Sequence, residues 1–203
     1  LSQLQGKRVA VGLPGSGSQA LALQLLADSG VIAENTTRRE LPRQAETEQM
    51  LSGELDAVLL LDAYQSDAVQ TLLRAPSIGL ANLAQADAYA ARQPALKVVD
   101  APQGVFDLEK NLPGEDAQLL ASAANLVIRR DLNPTLARSL ITAAMLLHSG
   151  GDYLAAPYTY PNLAATGLPV SPDYVDYFNR LKNGDAPFTS TLSFWAAYTA
   201  ELF

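Results

Sequence analysis

Short apolar runs that stop at turn residues alternate with helix-length stretches through the first half of this chain, and few folds accommodate that rhythm. Arg8-Val9-Ala10-Val11 reads as a buried strand ending at Gly12. Residues 19–29 follow as a helix with Ala20, Leu23, Leu26 and Ala27 on one face, closed by Gly30. Residues 36–41 form a weak, exposed strand, and 44–52 a helix that stops at Gly53. The continuous apolar run 57–61 predicts an inner strand, because a strand covered on both faces needs no polar alternation. Residues 66–73 read as helix, 77–80 as a short strand, 83–92 as helix and 96–99 as one more strand. Such alternation implies a parallel, doubly wound α/β sheet.

The second half changes character, with a boundary near residue 100. Residues 116–129 are apolar with mixed periodicity, and 125–128 are a candidate strand. Asn133 and Pro134 stand as N-cap and first residue of a long helix that runs to His148 and ends at Gly150-Gly151. Residues 152–170, rich in Tyr, Pro, Ala and Gly, read as a loop. Ser171-Pro172 opens a helix to Lys182, and a last helix starts near residue 189. Both ends have the look of cuts, so the chain is expected to be part of a longer precursor.

Composition narrows the function. The 203 residues are 48% hydrophobic and 17% charged, a globular rather than a disordered balance. A net charge of -7 repels phosphate backbones and argues against nucleic acid. The absence of cysteine rules out disulfides and thiol chemistry, and a single histidine, His148, rules out a histidine-built zinc site. No run of apolar residues is long enough to span a bilayer. No cofactor or metal is expected, and His148 reads as a structural residue in the last turn of its helix.

The chemistry concentrates in Val9-Ala10-Val11-Gly12-Leu13-Pro14-Gly15-Ser16-Gly17-Ser18-Gln19, where strand, glycine-rich loop and helix start succeed one another. A helix start leaves N–H groups unpaired and carries partial positive charge, and glycines let a ligand approach the backbone. Gly15, Ser16, Gly17 and Ser18 are therefore candidate ligands of a carboxylate or phosphate. The plainer alternative is that a serine caps the helix while the glycines turn the chain. A triphosphate loop is disfavoured, since Ser18 takes the lysine position and Gln19 the hydroxyl position. The dinucleotide pattern fits Gly15–Ala20, with Glu40 near the expected acid, although its strand is polar. That match keeps a nucleotide-binding oxidoreductase as the enzymatic alternative.

Further segments, taken in order, carry a resemblance. Leu4-x-Gly6-Lys7-Arg8-Val9 leading to Gly15-Ser16-Gly17-Ser18 resembles the opening of the second lobe in TRAP-transporter solute receptors of the TAXI type. Met50-Leu51-Ser52-Gly53-Glu54-Leu55-Asp56-Ala57 is similar to the segment those receptors place before an inner strand. Asp62 through Gln70 resembles the following loop and helix, with Ala63 and Gln65 in place of the usual glycine and proline. Asp100 through Phe106 is similar to their return segment, and Ala124 through Leu132 to a later stretch. The resemblance implies an α/β fold of the periplasmic binding-protein type II kind, a doubly wound lobe followed by a mostly helical C-terminal part. Residues 1–100 would be the α/β ligand-binding lobe, and 101–203 the return segment and C-terminal helices belonging to the other lobe. It also implies a periplasmic receptor, not an enzyme, that captures a small anionic solute for membrane transporter subunits. A Phe194-Trp195 pair raises the expectation of a membrane anchor beyond the C-terminus.

Asp62 and Tyr64 join the candidate ligand site, because open α/β sheets bind at the carboxyl ends of their strands. The resemblance also implies that Asp56 ties its loop to neighbouring amides. Glu46 and Glu48 read as solvated charge on a polar helix face. Tyr153, Tyr158 and Tyr160 are expected to pack a long loop, with lining a cleft as the alternative. The apolar face of the terminal helix also admits a ligand-free sensor or interaction domain as a third reading.

Overall fold

The computed structural model describes residues 1–163 and 169–184. The expected terminal helix, the Phe194-Trp195 pair and the anchor lie outside them. The chain divides into two compact units, one comprising Leu1–Ser122 and the other beginning at Ala123.

In the first unit, β1 (Arg8–Ala10) runs parallel to β2 (Thr37–Arg39) on one side and to β3 (Ala57–Val58) on the other, giving the order β2-β1-β3. α1 (Gly17–Asp28) links β1 to β2, and α2 (Arg43–Leu51) links β2 to β3. The two crossovers run in opposite directions along the sheet. The right-handed rule for such connections then puts their helices on opposite faces. Burial agrees: Val9, Ala10 and Val11 are successive residues pointing alternately to the two faces, and all three are 0% exposed. The central strand is thus β1 rather than the run 57–61. Only Ala57 and Val58 of that run enter the ladder, half-buried at the edge. Its apolarity reflects packing, since Ala57 and Leu59 lie against the cluster of Val9, Val11, Ala22, Leu26 and Val31.

α1 buries Gln19, Ala22, Leu25 and Leu26, while Ala20 and Ala27 are exposed. The single apolar face expected from the sequence is replaced by two. Ala22 and Leu26 face the parallel sheet, and Leu25 packs with Tyr89, Leu96, Leu21 and Leu120. Of these, Tyr89, Leu96 and Leu120 belong to α4 (Ala86–Arg92), β4 (Leu96–Ala101) and β5 (Ala117–Ser122). β4 does not extend the parallel sheet. It pairs antiparallel with β5 from Leu96↔Ser122 to Ala101↔Ala117, as a separate two-stranded sheet. The partner strand lies before the expected 125–128, which form no strand. Its sequence, Ala-Gln-Leu-Leu-Ala-Ser, carries little β preference, so pairing to β4 decides it. The expected strand at 77–80 is absent as well. α3 (Asp67–Arg74) ends before Ala75, held extended ahead of Pro76, and the four residues after that proline make no ladder.

One ion pair pins the base of β1. Arg8 donates from Nε and Nη2 to the two carboxylate oxygens of Asp56, at 3.0 and 2.9 Å, and its backbone N–H donates to Asp56 at 2.7 Å. The same guanidinium donates to the Gly53 carbonyl at 2.9 Å. Asp56 ties the turn before β3 to β1, the structural role that the family resemblance implies. The hydrogen bonds from Arg8 hold its carboxyl far below the usual carboxylate range.

The second unit pairs α5 (Pro134–His148) with α6 (Pro172–Lys182). Asn133 caps α5 by accepting from the Thr135 N–H at 2.8 Å, with Pro134 in the first turn. Met145, Phe178 and Leu181 form the shared core, and the Thr142 and Tyr177 hydroxyls meet at 2.9 Å. Tyr153 and Tyr158 are 63% and 66% exposed, and Tyr158 lines a pocket with Met145, Ser149 and Leu181. Gly151, at φ +73°, turns so tightly that a Cβ would sit 2.6 Å from the Pro157 nitrogen.

Leu26 is 0% exposed between β1 and α1, so Leu26→Ala is expected to cost about 2–5 kcal/mol, read from the denaturant midpoint. Asp56→Asn is expected to lower Tm at neutral pH. Because the folded pKa is depressed, the stabilisation is fully present above the ordinary aspartate value of about 3.9 and is lost as pH falls further. The Tm gap between wild type and variant should therefore close in acid, and a gap independent of pH would refute the pairing.

Candidate functional site

The order β2-β1-β3 puts a topological switch point between β1 and β3, the place where open α/β sheets bind ligands beyond the carboxyl ends of their strands. The loop after β1 and the loop after β3 flank that point. The glycine–serine loop belongs to the first, and Asp62 and Tyr64 to the second.

Within the first loop, several donors are committed internally. The Ser16 hydroxyl donates to the Leu13 carbonyl at 2.7 Å, and its oxygen caps α1 by accepting from the Gln19 N–H at 3.1 Å. The Ser16 N–H donates to Leu13, and the Gly15 N–H donates to the Gln19 side-chain oxygen at 3.0 Å. The Gln19 side-chain amide in turn donates to Glu40 at 2.8 Å. The capping alternative thus describes Ser16. The N–H groups of Gly17 and Ser18, the first two of α1, meet no acceptor among the described residues. Gly17 is exposed and Ser18 half-buried, so both are reachable. Gly12 lies beneath them at φ +91°. A Cβ there would stand 3.3 Å from the Gln19 nitrogen, the Ser16 Oγ and the Ser18 Cβ, so only glycine fits without displacing the helix start.

Behind the loop stands Glu46 of α2, which is 1% exposed and not on a solvated face as its polar helix suggested. The Gly12 N–H points to its carboxyl group, and Arg43 Nη1 lies 3.3 Å from Oε2. Oε1 meets no donor. Burial pushes the Glu46 pKa up, against smaller downward pulls from Arg43 and the Gly12 amide. Arg43 is shared: its Nε lies 3.3 Å from Asp62 Oδ2 and its Nη2 donates to the Leu61 carbonyl at 3.0 Å. The network Gly12–Glu46–Arg43–Asp62 therefore joins the β1 loop to the β3 loop. Asp62 also accepts from the Ala63 N–H at 2.8 Å, which turns the chain toward α3.

Tyr64 stacks on Phe106 with ring centroids 4.8 Å apart and planes 22° from parallel. Gln70 reaches back from α3 to donate to the Tyr64 carbonyl at 3.0 Å, fixing the loop that carries it. Phe106, Glu46, Arg43 and Gln19 were not singled out as site residues from the sequence. No periodicity marks them; the acid four residues into a polar helix looks the same whether its helix faces water or a loop.

A parallel sheet of this order is an α/β arrangement distinct from a classical dinucleotide fold. In the latter, the third strand pairs with the second and not with the first. Residues 1–146 match the NMT1-like family, and the chain belongs to it. This is a periplasmic-binding-protein-like family, a family of binding proteins and not of enzymes, whose members are typically extracytoplasmic. No curated protein matches the chain. No helix among the described residues is long and apolar enough to cross a membrane.

Glu46 yields a stability prediction. With its folded pKa raised, stability is fully present below the ordinary glutamate value of about 4.3 and declines as pH rises through the folded value. Glu46→Gln should remove that decline. The variant is expected to melt above wild type at neutral pH, with the gap closing in mild acid. Equal melting temperatures across this range would show the carboxyl to be solvated.

Proposed function

We propose that this protein is an extracytoplasmic solute receptor of the TAXI type, with a periplasmic binding-protein type II fold, which captures a small organic anion for a membrane transporter. The carboxylate of the solute would accept from the N–H groups of Gly17 and Ser18 at the start of α1, with the Ser18 hydroxyl beside them. Gly15 and Ser16 shape the turn, while Asp62 and Tyr64 border the site from the β3 loop. The observation that carries this reading is the pair of unengaged N–H groups at a switch-point helix start, where the helix field favours negative charge. Membership of the NMT1-like family supports the binding role. The order of the motifs supports the receptor type.

The test exploits backbone geometry. Ser16 has φ −79° and ψ 152°, the conformation that a following proline demands, and Gly17 is the first helical residue, where proline is tolerated. Gly17→Pro should therefore fold normally while deleting one of the two donors. Calorimetry with succinate and L-glutamate is expected to show binding to wild type and a loss of about tenfold to a hundredfold in Gly17→Pro, the weight of one hydrogen bond to a charged group. Ser18→Ala should weaken binding less. Unchanged affinity in both variants would remove this site.

A further inference from the structure

The carboxyl edge of the sheet holds more negative charge than its positive charge balances. Arg43 contacts Glu46 and Asp62, Gln19 contacts Glu40, and among the described residues Arg43 is the one guanidinium in contact with these carboxylates. Arg43 divides itself between Glu46 on its own helix and Asp62 on the β3 loop, while Glu40, after β2, is met by the neutral Gln19 side chain. The β1 loop, residues 12–18, contributes no titratable group. A solute carboxylate settling on Gly17 and Ser18 would add another negative charge to the same backbone turn whose Gly12 N–H already points to Glu46.

Three carboxylates could absorb that charge by taking a proton, and their surroundings are unequal. Asp62 is exposed, accepts from the Ala63 N–H and pairs with Arg43. Glu40 is exposed and accepts from Gln19. Glu46 is 1% exposed and one of its oxygens meets no donor at all. A buried carboxylate short of donors is the form that low dielectric penalises most, and a second anion nearby adds to the penalty. We infer that Glu46 is a proton-linked element of the solute site, so that a carboxylate bound at Gly17 and Ser18 is accompanied by a proton on the Glu46 carboxyl. Glu46 does not touch the solute; it acts through the Gly12 turn, as a positioning residue. Its raised pKa in the empty protein is consistent with this role. The inference rests on the site proposed above.

The balance is one proton taken from solvent per solute bound, so affinity should rise as pH falls, by up to about tenfold per pH unit between the Glu46 pKa values of the empty and occupied protein. L-glutamate serves as the probe, because its own carboxylates stay ionised above about pH 5. Calorimetry in buffers of differing ionisation enthalpy should show up to one proton taken up. Carboxyl 13C resonances should show Glu46 titrating at higher pH when the probe is bound. In Glu46→Gln, proton uptake should vanish, the affinity should lose its slope with pH, and binding at high pH should be tighter than in wild type. Binding without proton uptake, or an unshifted Glu46 titration, overturns the proton link and leaves the solute site standing. Absence of any L-glutamate binding at all pH values removes both.

Discussion

The central placement of β1 governs the architecture of the first unit. Paired on both edges and covered on both faces, it is a strand three residues long whose side chains at Val9 and Ala10 see no water. Its neighbours are held by main-chain bonds that continue past its ends, from the Thr37 N–H to Lys7 and from the Leu59 N–H to Ala10. A strand so enclosed can present only its terminus to solvent. The residues immediately after it, Gly12 to Ser18, are delivered to the switch point because nothing else about the strand is free to be used.

The same enclosure explains why polar groups collect there. The segments that follow β1, β2 and β3 all leave from one edge, and they bring groups that must find partners: Gln19 of α1, Glu40, Glu46 of α2 and Asp62. Arg43 satisfies two of them with one fork, which a lysine could not do. The result is a linked polar layer above an apolar cluster. The lower edge is fixed differently, by the Arg8–Asp56 pair at the opposite end of β1. One end of the strand is held by a guanidinium–carboxylate pair and its middle by burial, while past its other end Arg43 ties Glu46 to Asp62.

The parts of this organisation legible in the sequence were those with local causes. β1, α1, α2, α3, α5 and α6 lie close to where apolar runs, caps and terminating glycines put them, and Asn133 caps α5 as its identity suggests. Asp56 has the tying role that the family resemblance implied, which its own neighbours in sequence do not specify. The misplaced elements depend on distant partners. β5 has the composition of a helix and becomes a strand because β4 lies beside it. The run 57–61 looked central because it is uniformly apolar, but an edge strand beneath a packed helix needs the same side chains. Within the site, the glycine–serine turn was visible, whereas the burial of Glu46 was not. Its neighbours Gln44, Thr47 and Glu48 are as polar as it is, and only the facing turn distinguishes it.

Gly12 has a consequence for how such a lobe diversifies. With hydroxyl, amide nitrogen and methylene all 3.3 Å from where a side chain would begin, this position is closed to every other amino acid without a shift in the start of α1. The turn after the first strand is therefore a fixed fitting. Changes in what the lobe recognises must be written on the opposite bank, around Asp62, Tyr64 and Phe106, where exposed or half-buried side chains can be exchanged without rebuilding the frame.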